Sequence, residues 1–216
     1  MGKETNSEAG LSYNEEKNGL SIPDADAVLV ARTQQGGLDA FERLVVKHQK
    51  RMLNIAFRLI GDYDEACEAV QDAFVSAYKN IKTFRGEAKF STWLTTITLN
   101  HARNRLKQVG ARQSRVAFSL DDPVQTNDGE MSRDLPSNEP SPLDRLENHD
   151  IRNNVKGCIE ALDPEFREVI VLSDVQDFSY DEIGSILKIR EGTVKSRLFR
   201  AREAVKDCLK KAMGDF

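Results

Sequence analysis

The sequence predicts an all-α protein: two small helical domains joined by a flexible acidic linker. Three observations carry that expectation. Apolar residues recur at helical spacing through residues 24–108 and again beyond residue 151, and almost no stretch alternates as a strand would. Helix start and stop residues punctuate both blocks. Between them, residues 109–150 hold four of the six prolines and much Asn, Asp and Ser, so this segment cannot bury enough apolar area to order itself.

Residues 1–23 are polar and without periodicity and read as a disordered leader. Helical patterning starts at Asp24. Gly36-Gly37 ends the first helix, and Asp39 is placed to cap the next, which Gly61 ends. Asp62 caps a third helix, with Glu65 three residues on as in a capping box. On that helix Ala66, Val70, Ala73, Phe74, Ala77 and Ile81 form the stripe to be buried. Asp64, Glu65, Glu68, Gln71 and Asp72 form an acidic solvent-side patch. Residues 84–90 are a loop, and Ser91 caps a fourth helix, Thr92–Gln108, whose Leu94, Ile97, Leu99, Ala102 and Leu106 serve the core. The second domain, residues 151–216, has a helix start at Asp163-Pro164. Ser179 and Glu182 form a capping box for a helix over Ser179–Lys188. After a tight connection, Gly192–Lys206 is a second helix with Val194, Leu198, Ala201 and Val205 toward the core.

The net charge of −4 conceals a division by segment. Arg85–Arg115 carries 7 Lys/Arg against 1 acid, Val116–Asp150 carries 2 against 9, and Lys188–Phe216 carries 9 against 4. Two basic blocks therefore flank an acidic connector, a pattern suited to nucleic acid. Cys67, Cys158 and Cys208 are widely spaced and form no CxxC or Cys/His cluster, so neither a zinc site nor a disulfide framework is expected; they read as small, buried or half-buried thiols in a reducing cytoplasm. His48, His101 and His149 are scattered, without metal-ligand spacing. No catalytic constellation stands out, so the chain reads as no enzyme, with no cofactor and no metal. No stretch is apolar enough to span a membrane and the N-terminus lacks an apolar signal core, so a cytoplasmic location is expected.

Three surfaces carry chemistry. The C-terminal helix pair has the helix-turn-helix pattern for the major groove: Lys195, Phe199 and Arg202 fall on one line, Ser196 and Arg200 on the next, with Arg197 on the same helix. Arginine pairs bidentately with guanine, and an exposed Phe meets a thymine methyl. On Thr92–Gln108 a second stripe combines Trp93, Thr96, Asn100, Arg103, Asn104 and Lys107: cations for phosphates, amides for base edges, an indole for stacking. The alternative is a solvated helix face with a half-buried Trp. The loop before it, with Phe84, Arg85, Lys89 and Phe90 around a glycine, suits an unstacked base, although its phenylalanines also read as core. The acidic patch on the third helix repels DNA, so any partner it has is a basic protein surface.

These surfaces, in this order, resemble the extracytoplasmic-function (ECF) group of bacterial RNA polymerase sigma factors, in particular those of the envelope-stress kind. The resemblance rests on Phe84 to Leu94 (FRGEAKFSTWL), on Asp64-Glu65-Ala66 through Gln71-Asp72-Ala73-Phe74, and on Tyr180 to Gly184 (YDEIG) followed by Gly192 to Arg202 (GTVKSRLFRAR). It covers about residues 25–108 and 151–212. It implies a region 2 domain over residues 24–108 and a region 4 domain over 151–216. It implies that Asp64, Glu65, Glu68, Gln71 and Asp72 dock on the β′ clamp helices of core RNA polymerase, with the β flap as a further contact. It implies a −10 reading set of Arg85, Lys89, Ser91, Trp93, Thr96, Asn100, Arg103, Asn104 and Lys107. The −35 set is Arg190, Thr193, Lys195, Ser196, Arg197, Phe199, Arg200 and Arg202. Promoter DNA and an anti-sigma protein are the other implied partners, with no membrane insertion, and the product is transcription of a stress-type regulon. The linker would thread toward the RNA exit path. Arg190 departs from the pattern, standing where a capping Ser or Asp is usual. Two rival readings stay open at this level: a stand-alone helix-turn-helix regulator that uses only residues 151–216 on DNA, and a protein-interaction module whose basic faces bind acidic partners.

Overall fold

The computed structural model describes residues 25–116 and 142–213. The expected leader, and the central part of the expected linker with its acidity and path, lie outside the described residues. All regular structure among the described residues is helical. The order is α1 (Ala25–Gln34), α2 (Leu38–Ile60), α3 (Tyr63–Asn80) with a 3-10 turn (Ile81–Thr83), α4 (Phe90–Val116), α5 (Pro142–Glu160), α6 (Pro164–Ile170) running into a π turn (Val171–Val175), α7 (Tyr180–Leu187) and α8 (Glu191–Met213).

In the first domain α2, α3 and α4 pack on one another, with α1 laid against α2. The buried face of α3 is mostly alanine (Ala66, Ala69, Ala73 and Ala77), which lets α2 and α4 approach closely. From α2 come Phe41, Leu44, Met52, Ile55 and Leu59, and from α4 Phe90, Leu94, Leu99 and Ala102. Ile97 and Leu106, expected in the core, are half-buried. Two threonines that the apolar pattern passed over, Thr95 and Thr98, are fully buried on α4. Their hydroxyls donate to the carbonyls of Ser91 (2.8 Å) and Leu94 (3.0 Å), four residues back, so neither is left unpaired. Buried Asp26 anchors α1, accepting from Lys47 Nζ at 2.6 Å and facing His48 Nε2 at 2.9 Å.

Several boundaries differ from expectation for local reasons. Gly37, in extended conformation, occupies the cap position of α2; Asp39 lies two residues too far in and instead accepts from Arg32 Nη2 at 2.8 Å. Ser91 is not a cap either: α4 starts at Phe90, and the Trp93 N–H already donates to the Lys89 carbonyl at 3.1 Å. The expected caps at Asp62, whose carboxylate accepts from the Glu65 N–H at 2.9 Å, and at Gly61, with φ 84°, are present. Helix α4 continues to Val116, and α5 begins at Pro142. The expected linker over 109–150 is therefore helical at both ends. The only breaker in 109–116 is Gly110, which costs a helix only about 1 kcal/mol, and proline is well suited to a first helical position. Helix α8 likewise runs on past Lys206 to Met213, because no glycine or proline interrupts it before Gly214.

The second domain packs α6, α7 and α8 around Val169, Val171, Leu172, Ile183, Ile186, Val194, Leu198 and Ala201. Ser179 and Glu182 form the full capping box of α7. Helix α5 lies along the end of α8, and Cys158 on α5 is bonded to Cys208 on α8. This corrects the expectation of three free thiols. The two cysteines are 50 residues apart, so no spacing motif marks them and only the packing of α5 on α8 brings them together. Cys67 remains free.

The two domains touch. Elements α5, α6 and the π turn meet α2, and α7 meets α4. Arg51 of α2 donates to the Gln176 carbonyl at 2.5 Å and lies over the Phe178 ring at 4.2 Å. Arg167 of α6 donates to the Leu59 carbonyl, at the end of α2, at 2.9 Å.

Replacing Ser179 by Ala removes the capping hydroxyl from α7 and is expected to cost about 1 kcal/mol of stability in the second domain. Urea melts followed by a probe in that domain test this; an unchanged midpoint would show that the cap contributes nothing.

Candidate nucleic-acid and protein interfaces

The second stripe expected to face DNA lies on α4. Phe90 is buried and packs against Phe84 (ring centroids 5.9 Å) and Trp93 (5.8 Å), and Phe84 meets Trp93 at 5.1 Å. This aromatic trio pins the 84–90 loop, and Gly86 turns its tip at φ 76°. Gln34 of α1 fixes the start of the loop, donating from Nε2 to the carbonyls of Ile81 and Phe84 at 2.9 Å each. Sequence reasoning missed Gln34, since nothing local distinguishes a helix-terminal glutamine that reaches 50 residues along the chain. Both phenylalanines are thus structural, while Arg85 and Lys89 are exposed on the loop. Along α4, Asn100, Asn104 and Lys107 are exposed, Trp93, Thr96 and Arg103 half-buried. The stripe is continuous, and Ser91 lies half-buried at its start.

Part of this stripe is occupied by the second domain. The Arg103 guanidinium grips Glu168 of α6 through two bonds, Nε to Oε1 at 2.5 Å and Nη2 to Oε2 at 2.7 Å. Glu168 is buried. Its carboxylate, hydrogen-bonded to Arg103, raises the guanidinium pKa further, against the opposing effect of burial. Lys89 Nζ lies 2.8 Å from Glu182 Oε1 on α7. Burial pushes Glu182 up, but the Lys89 ammonium and the Ser179 capping bonds outweigh it and leave the carboxyl below its ordinary value. Carboxylates of the second domain hold two cations of the first, in the way a nucleic-acid phosphate would.

On α8 the outer face is exposed as expected, and Phe199 is 68 % exposed in the middle of it. Three of the cations expected to read DNA are paired within the domain. Lys195 meets Glu191 at 2.7 Å, Arg197 meets Glu165 at 2.5 Å, and Arg202 forks onto Asp174 at 2.7 and 2.9 Å. Arg197 is turned toward α6, beside the core and away from the line of Lys195, Phe199 and Arg202. Arg190 and Arg200 are exposed and make no ion pair with a described residue. The Arg190 carbonyl accepts the first bonds of α8, from Thr193 and Val194, so it holds the cap position with no capping side chain; Thr193 is half-buried, and its own carbonyl accepts the Ser196 hydroxyl at 3.1 Å.

On α3, Asp64, Glu68, Gln71 and Asp72 are exposed. Glu65 is half-buried and, with Glu68, pairs with Arg105 of α4, so the two glutamates also tie α3 to α4. Beside this acidic row, α2 and α3 enclose an open groove of about 650 Å³, lined among others by Leu38, Phe41, Leu53, Val70, Phe74 and Tyr78, with Gln71 on its rim. Leu38 is 64 % exposed, Val75 45 % and Tyr78 41 %. The groove was missed in the sequence; its signal was the placement of Val75 and Tyr78 outside the buried stripe of α3. Among the described residues, no helix is long and apolar enough to cross a membrane.

Comparison with known proteins matches residues 44–112 to the family model "Sigma-70 region 2" and residues 152–205 to "Sigma-70, region 4". The chain is 33 % identical over 186 residues to the RNA polymerase sigma-H factor of Pseudomonas aeruginosa, covering 86 % of this chain and 94 % of that one. It is 34 % identical over 180 residues to the ECF RNA polymerase sigma-E factor of Escherichia coli, covering 83 % and 92 %. Among solved structures, CnrH in complex with the cytosolic domain of CnrY aligns with a TM-score of 0.63 at 25 % identity, over 87 % of this chain and 99 % of that one. The sigma factor RpoE of Bartonella quintana, in complex with the anti-sigma factor NepR, shares the fold with a TM-score of 0.60 at 21 % identity, over 80 % and 98 %.

The Asp174–Arg202 pair generates a pH dependence. The guanidinium holds the Asp174 carboxyl below its ordinary 3.8, against burial. A folded-state value below the unfolded one means that the pair stabilises the domain above about pH 4 and that this contribution is lost as pH falls through the lowered value. Both side chains are partly exposed, so at neutral pH Asp174→Asn is expected to cost at most about 1 kcal/mol. The gap between wild type and Asp174→Asn in denaturant midpoint should close as pH is lowered toward 3; a gap independent of pH would contradict the assignment.

Proposed function

The chain belongs to the ECF family of RNA polymerase sigma factors, and from that premise we propose how its surfaces divide the work of transcription initiation. As a sigma factor it is not an enzyme; it binds core RNA polymerase and recognises promoter DNA. We assign the polymerase contact to the exposed row Asp64, Glu68, Gln71 and Asp72 of α3, with Glu65 behind it holding Arg105. The observation that carries this assignment is the juxtaposition of that acidic row with the apolar groove between α2 and α3, whose lining Gln71 joins. Acidic residues beside an apolar cleft suit a basic protein helix and disfavour DNA.

The −10 element falls to α4 and the loop before it. Asn100, Asn104, Thr96 and Trp93 present amide, hydroxyl and ring to bases, and Arg85, Lys89, Arg103 and Lys107 meet phosphates. The −35 element falls to α8, where exposed Phe199 and Arg200 lie between Lys195 and Arg202. The relatives that carry these domains are RNA polymerase sigma factors, which supports a cytoplasmic location for this chain, and an anti-sigma protein of the kind bound to the Bartonella quintana neighbour is the proposed regulatory partner. The stress-type regulon follows the sigma-E relatives.

The first test is binding of the purified full chain to core polymerase beside Asp72→Arg, with circular dichroism to show that the variant is folded. Tight binding lost in the variant supports the assignment; equal binding moves the contact elsewhere on the chain. A second test concerns the closed arrangement. Because Arg103 is held by Glu168, the free chain is only fractionally competent for −10 DNA, and its apparent affinity is lowered by that fraction. Glu168→Gln is expected to tighten binding of a −10 single strand by about tenfold. An unchanged affinity would show that the Arg103–Glu168 bond does not compete with DNA.

A further inference from the structure

Beyond Ala201, α8 leaves the core of its domain. In residues 202–213 only Val205, Cys208, Leu209 and Met213 are half-buried, and the rest are exposed. That stripe faces α5, which offers half-buried Val155 and buried Cys158 and Ile159 in return. The seam is thin, and the covalent bond between Cys158 and Cys208 lies within it. The two Cα atoms are 5.7 Å apart, a separation that a disulfide bridges without movement of the backbone. Helix α5 also touches the first domain: Lys156 Nζ stands 5.0 Å over the Phe57 ring of α2. It therefore stands between the DNA-reading helix and the neighbouring domain.

We infer that Cys158 and Cys208 are a reversible thiol–disulfide modification site whose oxidation ties α5 and the C-terminal half of α8 into one body. The reversibility rests on the proposed sigma-factor role, which puts the chain in a reducing compartment where disulfides are transient and redox-responsive. The oxidant is a low-molecular-weight disulfide of the glutathione class. The thiolate of Cys208, the more exposed of the pair, attacks one sulfur of it and expels one thiolate. The Cys158 thiolate then attacks the Cys208 sulfur of the mixed disulfide and expels the second. Two protein thiols give up two electrons, the small disulfide becomes two thiols, and the two protons end on them. A dithiol reductant reverses both steps. Reduction leaves the core from Val169 to Ala201 intact and releases only the seam, because that core is buried independently of the cystine.

The test uses the full chain equilibrated with oxidised glutathione or with dithiothreitol, then unfolded and labelled with a thiol-reactive mass tag. Three tags are expected after reduction; after oxidation Cys158 and Cys208 lose theirs with no glutathione mass gained at either, whereas in Cys208→Ser Cys158 keeps its tag or carries one glutathione. Hydrogen exchange on the unmutated chain supplies a second readout. Amides of residues 152–160 and 205–213 should exchange about tenfold more slowly when oxidised, with residues 183–201 unchanged. Three tags after oxidation, a disulfide-linked dimer, or equal exchange in the two states would overturn the inference. None of these readouts involves polymerase or DNA, so a failure of the sigma-factor assignments would leave them unaffected.

Discussion

A buried carboxylate must be paired or lose its charge, and Glu168 is only 8 % exposed. The cation it takes is Arg103, from the stripe of the other domain that we propose faces DNA. Its neighbours in the chain make this single turn the hinge point of the structure. Arg167 reaches the Leu59 carbonyl at the end of α2 and also the carbonyls of Glu160 and Leu162, while Val169 and Ile170 enter the core of the second domain. Four consecutive positions of a seven-residue helix therefore hold α2, α4 and the local core together. The arrangement of the two domains follows from this turn, and so does the partial masking of the α4 stripe.

The first domain gains its surfaces by keeping its interior small. Alanines along α3 and threonines along α4 let three helices approach closely around the larger side chains of Leu44, Met52 and Leu94. A helix packed so tightly on one face is free to carry chemistry on the others. Helix α3 shows this most clearly: alanines inward, acids to one side, and Val75 and Tyr78 opening into the groove on the other. The hydroxyls of Thr95 and Thr98 create no burden in the core because each is satisfied by its own helix.

Most of this was legible in the sequence wherever the governing interaction is local. Helical period, the Asp62 cap, the αL glycine at Gly61 and the Ser179–Glu182 box act within one or two turns, and they placed the helices and the inner face of α8. Ser91 and Asp39 show how even local signals fail, since each is a good capping residue displaced from a cap position that another residue already holds. What could not be read is what depends on distant parts of the chain. Arg103 and Glu168 are 65 residues apart, and each taken alone is an ordinary charged residue on a helix. The Cys158–Cys208 bond and the reach of Gln34 to the 84–90 loop belong to the same class. The buried threonines escaped because a polar letter in a helix pattern says nothing about whether its hydroxyl can be satisfied at home.

The two sets proposed to face DNA differ in what binding must displace. On α8 the partners of Lys195 and Arg202 are partly exposed acids of the same domain. Such pairs are weak and screened by salt, so a phosphate can replace the acid with little loss and no movement of domains. On α4 the partner of Arg103 is a buried glutamate of the other domain, and releasing it leaves a charge that must be hydrated. Hydration requires the domains to part. The same chemical exchange, a carboxylate for a phosphate, is thus a local side-chain event at one face and a rearrangement of the whole molecule at the other. The difference lies in the burial of Glu168, since the cations on the two faces are of the same kind.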